Sequence, residues 1–179
     1  LSRDRACLIV IYRQQSYVGK LSNEVRVVAA TRRLLAAAGA LQLPVLLTEQ
    51  YPKGLGATRA EIATALPPGT ARFEKTTFSC LGAPGLGDHL RRLGRDQVLV
   101  AGIETHVCVS QTVHDLLAAG LQPHAVRDAI SARFALEDET GFAKIVGSGA
   151  VPASVESALF ELLGDARAPE FKAVHRLVV

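Results

Sequence analysis

Short apolar runs alternate along the chain with stretches in which apolar residues recur every three to four positions. A continuous run of four to eight apolar residues is typical of a buried strand. The runs at 6–11 and 97–102 are apolar at nearly every position, as expected for strands covered on both faces. In all, the pattern predicts six strands, at 6–11, 44–48, 71–74, 97–102, 124–126 and 149–151.

Helical periodicity occupies the segments between these runs. The predicted helices cover 23–38, 59–66, 84–93, 105–119, 136–146, 154–163 and 169–178. Gly39, Gly94 and Gly120 each follow a predicted helix, in the position that favours a left-handed cap. Ser154 is the predicted N-cap of its helix. The segment 49–58 is predicted to be a polar loop.

Strands that alternate with helices imply right-handed βαβ crossovers. We therefore predict a three-layer, Rossmann-like α/β fold, with a six-stranded, mostly parallel sheet and helices on both faces. The 179 residues contain no linker-like composition shift and no internal repeat. That length suits a single core, so we expect one domain over residues 1–179.

Charge and hydropathy argue against nucleic acids and membranes as partners. The net charge of +3 is small and no basic block is interleaved with aromatic residues, so we expect no nucleic-acid partner. No apolar run approaches the roughly 20 residues that span a bilayer, so we expect no membrane insertion. Residues 1–5 do not resemble a signal peptide. The cysteines at 7, 80 and 108 form no CxxC pair, which favours a reduced, cytoplasmic setting.

Ligands of parallel sheets bind beyond the carboxyl ends of the strands. Cys108 lies in one such segment. With Thr105 as N-cap, Cys108 occupies the third helical position, where unpaired N–H groups and the helix dipole favour a thiolate. The same N–H groups could stabilise an oxyanion after the sulfur attacks a carbonyl. Position alone does not separate this interpretation from a buried structural cysteine.

Lys75 follows the third predicted strand, and its ammonium group would lower the pKa of a nearby thiol. The alternative is a solvated lysine. The five histidines and three cysteines show no metal-ligand spacing, and the glycines form no phosphate-binding loop. We therefore predict neither a metal nor a cofactor. His106 lies beside the proposed site and is a candidate pocket residue.

Four segments of the chain resemble the isochorismatase-like cysteine hydrolases. GIETHVCV at 102–109 resembles their nucleophile segment, and FEKTTFS at 73–79 resembles their lysine segment. TEQYPKGLG at 48–56 and SALFELLGDA at 157–166 are similar to the subgroup that includes the animal isochorismatase-domain proteins. The occurrence of all four segments at this spacing is more specific for the family than any one segment.

The resemblance implies a catalytic triad of cysteine, lysine and aspartate that acts on a small-molecule substrate. It also implies a homo-oligomer, a dimer or a tetramer. A cis peptide bond between Ile103 and Glu104 would help to aim the N–H groups of residues 104–108 at an oxyanion. The pocket would be lined by residues at the strand ends, namely Gln14, Tyr51, Phe78, Thr105 and His106.

One position departs from the family pattern. The family places its general-base aspartate after the first strand, where this chain has Tyr12. A phenol titrates near pH 10 and is mostly protonated at pH 7, whereas a carboxylate titrates near pH 4. Tyr12 could act as a phenolate only if Lys75 lowered the pKa of the phenol far below its usual value. Otherwise turnover would lack an effective base, which typically costs about 10²–10⁴ in rate.

A second departure concerns metals and substrates. The nicotinamidases of this family bind a metal through an Asp-x-His stretch, where this chain has Gln50-Tyr51-Pro52-Lys53. Isochorismate hydrolysis relies on the missing aspartate. A small amide or related acyl compound is therefore the predicted substrate class.

Two functions of different kinds remain open. The first is a cysteine hydrolase with weak or altered activity. The second is a catalytically silent binding or assembly protein on the same fold. A third, less supported interpretation is a nucleotide-binding or flavodoxin-like domain, which lacks its phosphate loop here.

Overall fold

A computed structural model describes residues 1–11 and 14–179. Its strands form one parallel sheet in the order β3-β2-β1-β4-β5-β6. The predicted α/β fold class is therefore confirmed. The strands are β1 (Ala6–Ile11), β2 (Val45–Gln50), β3 (Ala71–Lys75), β4 (Gln97–Ile103), β5 (Gln122–Ser131) and β6 (Val151–Ala153).

The helices fill the crossovers between strands. They are α1 (Glu24–Ala40), α2 (Pro52–Leu55), α3 (Ala60–Ala63), α4 (Leu86–Leu93), α5 (Ser110–Ala118), α6 (Ala135–Gly147), α7 (Val155–Leu163) and α8 (Phe171–His175). Shorter helical turns occur at Gln15–Tyr17, Cys80–Gly82 and Thr105–Val109.

The sheet separates two apolar layers. Successive residues of a strand point to opposite faces, so the fully buried β1 contributes to both. Leu8 and Val10 pack with residues of α1, α7 and α8. Cys7 and Ile9 pack with residues of α4, α5 and α6. This double burial explains why β1 is apolar at every position.

Strand order reverses between β1 and β4. The chain runs outward from β1 through β2 to β3, and then returns to place β4 on the other side of β1. A crevice beyond the carboxyl ends of the strands at such a switch point is where ligands bind in open α/β sheets. The segments after β1 and β4 therefore border the expected site.

Several predicted boundaries were wrong for local reasons. The helix predicted at 59–66 ends at Ala63, since Leu66 precedes Pro67 and is disfavoured from helical geometry. The sixth strand begins at Val151 and not at 149, because Gly149 has φ 111° and donates to the carbonyl of Val146 at the end of α6. The predicted loop 49–58 contains the single turn α2. The predicted tail helix 169–178 is limited to α8.

The contact between β1 and β4 leaves no room for a side chain at Gly102. A Cβ there would lie 2.5 Å from both the Cβ and the carbonyl oxygen of Ile11. We expect Gly102→Ala to reduce the free energy of unfolding by about 2 kcal/mol or more, because overpacking a core costs about 1–3 kcal/mol. Urea denaturation measures this change. Gly147→Ala is the control, since a Cβ there contacts nothing within 4 Å. Equal stability of the two variants would contradict the prediction.

Candidate active site

Lys75 and Cys108 meet beyond the carboxyl ends of β3 and β4. The Lys75 Nζ lies 3.7 Å from the Cys108 Sγ, and the two residues are only 3% and 2% exposed. In the sheet order, β2 and β1 lie between β3, which ends at Lys75, and β4, which precedes the turn that carries Cys108. The fold thus brings together the two side chains that the sequence singled out separately.

Among the described residues, oxygens of Gln50, Thr77 and Phe78 hold the Lys75 ammonium group in place. It donates to the carbonyls of Thr77 at 2.9 Å and Phe78 at 2.8 Å, and also to the Gln50 Oε1. A buried ammonium group is stable only when its N–H groups are hydrogen-bonded. These acceptors therefore make the buried, charged lysine possible beside the sulfur.

Gln50 connects this cluster to the first strand–helix connection. Its Nε2 donates to the Thr76 carbonyl at 2.7 Å, so its Oε1 faces Lys75. Its backbone N–H donates to the Oε1 of the fully buried Gln14, also at 2.7 Å. The sequence pattern predicted a polar loop over 49–58 and gave Gln50 no role in the site, whereas Gln50 is the last residue of β2. Its position directly opposite Lys75 in the β2–β3 register is the signal that a strand-pairing argument would have used.

The chain reverses direction at Glu104, just before Cys108. Glu104 adopts the left-handed conformation (φ 61°, ψ 65°), and its buried carboxylate accepts from the Arg133 Nε at 3.1 Å. The expected cis bond between Ile103 and Glu104 was wrong, since no peptide bond in the described residues is cis. The left-handed Glu104 produces the reversal instead, at a cost of about 1–2 kcal/mol.

The turn that carries Cys108 is π-helical. It covers Thr105–Val109 and leads directly into α5. Thr105 is therefore its first residue and not the N-cap that the sequence suggested, and Cys108 is at the fourth position. The Thr105 hydroxyl donates to the Asp138 carboxylate, and Glu104 is the N-cap of the turn.

The resting sulfur is a thiol. Burial raises the pKa of Cys108 to about 11, an effect that the neighbouring Lys75 only partly offsets, while Cys80 and Glu104 raise this pKa further. Lys75 lowers the pKa of this thiol, as the sequence predicted, but burial raises the pKa by more, so the net shift does not favour a resting thiolate. Desolvation of a nearly inaccessible sulfur outweighs one adjacent positive charge.

Cys80 packs beside the site as a second buried thiol. Burial also raises its pKa, and its Sγ lies 3.3 Å from the Thr48 hydroxyl. The Thr112 hydroxyl accepts from the Cys80 N–H at 3.0 Å and donates to the Cys108 carbonyl at 2.7 Å. Thr112 thus ties the Cys108 segment to the turn after Lys75.

The predicted pocket residues occupy different environments. The side chains of Tyr51 and Phe78 are about half exposed. Tyr51 closes one wall of a cavity of about 390 Å³, lined by Tyr51, Pro52, Lys53, Glu74, Lys75, Thr76, Gly82 and Pro84. His106 is partly exposed, with its Nε2 3.7 Å from a Glu104 carboxylate oxygen. Thr105 is fully buried. Tyr12, at the family's aspartate position, lies outside the described residues.

No metal-binding cluster of His, Cys, Asp or Glu occurs in residues 1–11 and 14–179. Within the same part of the chain, each helix is too short or too polar to cross a membrane.

The doubly wound sheet defines the class of protein, a Rossmann-like α/β domain. A family model described as "Isochorismatase domain" matches residues 6–157. The chain therefore belongs to the isochorismatase family, as the sequence segments indicated, and this membership supports a hydrolase as the class of function.

Curated relatives match most of the chain. A secreted isochorismatase effector, Isc1, of Phytophthora sojae is 40% identical over 169 residues, which cover 92% of this chain and 80% of the relative. Human isochorismatase domain-containing protein 2 is 37% identical over 166 residues, which cover 92% and 78%. A solved structure titled MAR1 ribonuclease from Caenorhabditis elegans is 35% identical, with a TM-score of 0.95 and coverage of 99% of this chain and 91% of that one.

The raised pKa of Cys108 predicts how the rate of its alkylation depends on pH. Because only the thiolate reacts with iodoacetamide, the alkylation rate should rise about tenfold per pH unit between pH 8 and pH 10. Lys75→Gln should lower the rate at each pH by about tenfold, because an adjacent cation lowers a thiol pKa by about 1 unit or more. Mass spectrometry of the Cys108 peptide measures the rate.

Lys172→Gln, which removes an exposed lysine of α8 on the opposite face of the sheet, is the matched control and should leave the alkylation rate unchanged. A wild-type rate that levels off near pH 8.5, about the pKa of an ordinary cysteine, would contradict the prediction.

Proposed function

We propose that this protein is a cysteine hydrolase that acts on a small amide or related acyl substrate, with Cys108 as nucleophile. The contact of 3.7 Å between the Lys75 Nζ and the Cys108 Sγ, in a member of the isochorismatase family, carries the proposal. A nucleophilic cysteine requires a group that stabilises its thiolate as it forms. Lys75 is buried, charged and fixed by hydrogen bonds to oxygen atoms, so it meets that requirement.

The reaction would pass through a thioester. The Cys108 sulfur attacks the carbonyl carbon, the C–N bond breaks, and the thiol proton leaves on the departing amine. Water then attacks the thioester: its hydroxyl group completes the released carboxylic acid, and its other proton restores the thiol. In the tetrahedral state, N–H groups between Glu104 and Cys108 would donate to the oxyanion.

Two features predict slow turnover. The sulfur is protonated at neutral pH, because burial raises its pKa to about 11. The residue at the family's general-base position is Tyr12, whose phenol is a poor base at pH 7. Loss of an effective base typically lowers the rate by about 10²–10⁴. We therefore expect weak activity that rises with pH as the thiolate fraction grows.

Restoring the family's carboxylate tests this account. Against a panel of small primary amides, the wild-type protein should show slow hydrolysis, and Tyr12→Asp should be about 100-fold or more faster, because it supplies a general base. Ammonia release gives the rate, and intact-mass spectrometry detects the acylated Cys108.

The double variant Tyr12→Asp, Cys108→Ala is the control and should be inactive. Hydrolysis by the wild-type protein that persists in Cys108→Ala would contradict the proposed nucleophile.

A catalytically silent binding or assembly protein is the second candidate. The observation that favours it is the burial of Cys108, which is 2% exposed and protonated at rest. Hydrolysis that occurs only after Tyr12→Asp would support this second function. Wild-type turnover that is lost in Cys108→Ala would exclude it.

The solved C. elegans structure is titled a ribonuclease, so RNA should be tested as a substrate beside the amides. The charge pattern of this chain does not favour it, since the net charge is +3 and Arg32-Arg33 and Arg91-Arg92 are the only adjacent basic pairs. We propose a small-molecule substrate, a homo-oligomeric assembly and a cytoplasmic location, although the P. sojae relative is named as secreted. Metal-free activity follows from the proposed chemistry, which needs only protein groups.

A further inference from the structure

A buried carboxylate is attached to the first residue of the turn that carries Cys108. The Thr105 hydroxyl donates to one oxygen of Asp138, and the Arg127 Nη1 donates to the other at 3.0 Å. Thr105 and Asp138 are 0% and 2% exposed. A hydrogen bond to a buried, ionised acceptor is among the stronger contacts in a protein, and the alternative is an unpaired buried charge.

Arg127 has a second contact, with the ring of Phe142, in addition to its hydrogen bond to Asp138. It extends from β5, and its guanidinium carbon lies 4.7 Å from the centroid of the Phe142 ring, one turn beyond Asp138 on α6. Strand β5 and helix α6 therefore fix the carboxylate between them. Thr105 is joined to a rigid group and not to a mobile surface side chain.

Helix α6 also contacts the backbone of the turn directly. A Cβ at Gly141 would lie 2.7 Å from the His106 nitrogen and 2.9 Å from the Thr105 carbonyl carbon. Glycine is thus required for the approach of α6 to this turn. Asp138 and Gly141 are three residues apart, so they lie on the same face of the helix and hold the turn at adjacent points.

We propose that Asp138 is a positioning residue for the cysteine of this site. Through Thr105, it fixes the π-helical turn so that the Cys108 sulfur lies beside the Lys75 ammonium group. The consequence for turnover rests on the proposed hydrolase function, but the positioning of the sulfur does not. The titratable groups that shift the pKa of Cys108 are Lys75, Cys80 and Glu104, so we infer that Asp138 acts through geometry.

The test measures how strongly Lys75 influences the sulfur. In the wild-type protein, Lys75→Gln should lower the rate of Cys108 alkylation by iodoacetamide about tenfold, because it removes the adjacent cation. In a Thr105→Val or Asp138→Ala background, the released turn should separate the two groups, and Lys75→Gln should change the rate less than about twofold. The quantity compared is the ratio of the alkylation rate with Lys75 to the rate after Lys75→Gln in the same background. A change in access to the sulfur affects both rates and cancels in this ratio.

Two backgrounds separate positioning from general destabilisation. Thr105→Ser keeps the hydroxyl and should retain the tenfold ratio. Thr31→Val removes another fully buried threonine hydroxyl, which donates to the Val27 carbonyl in α1, on the opposite face of the sheet. It should lower the melting temperature and retain the ratio. Gly141→Ala should reduce the ratio as Thr105→Val does, which provides a second route if Asp138→Ala does not fold.

The outcomes distinguish this inference from the proposed function. A tenfold ratio that persists in Thr105→Val, or one that Thr31→Val also abolishes, would overturn the positioning role. If the ratio collapses only in the Thr105, Asp138 and Gly141 variants, the positioning role stands, whether or not the wild-type protein hydrolyses any amide. Where hydrolysis is measurable, kcat should fall by about 10- to 100-fold in Thr105→Val, because displacing a reacting group by about 1 Å has an effect of this size.

Discussion

The burial of one ammonium group constrains the whole site. Lys75 is 3% exposed, so each acceptor around it must be supplied by the protein. The carbonyls of Thr77 and Phe78 meet this need only if the chain after β3 folds back over the lysine. Gln50 supplies an acceptor for Lys75 only because the Thr76 carbonyl fixes its side-chain amide, so that the Oε1 faces the lysine. The loops that border the site therefore take their shape from the requirement to solvate a charge without water.

The same burial opposes the chemistry that the lysine supports. A positive charge at 3.7 Å stabilises a thiolate, yet the low exposure of the sulfur destabilises it more, so the pKa of Cys108 is raised to about 11. When the sulfur attacks a substrate carbonyl, the negative charge moves from the sulfur to the carbonyl oxygen. The backbone N–H groups at the start of the turn can then donate hydrogen bonds to that oxyanion. A site of this kind favours charge that develops in the transition state over charge present at rest.

Helix α6 has a role that its distance from Cys108 in the sequence does not suggest. Its Asp138 accepts from Thr105, and its Gly141 contacts the backbone of the next residue. The π-helical turn is an uncommon geometry, and such turns are frequent at functional sites. Here the turn is clamped between the left-handed Glu104 on one side and α6 on the other. We therefore infer that the position of the sulfur depends on Glu104, which follows β4, and on residues of β5 and α6.

The sequence by itself determined the alternation of strands and helices, the parallel sheet and the segments that contain Lys75 and Cys108. These features are local: an apolar run such as 6–11 specifies a doubly buried strand wherever it occurs. Only the tertiary structure decided the protonation state of Cys108, the role of Gln50 and the attachment of Thr105 to Asp138. Each depends on groups 25 to 33 residues apart in the chain, and on the exclusion of water from the space between them. A sequence pattern specifies which residues face a core, but the pKa of a sulfur depends on the complete set of neighbours that the fold assembles around it.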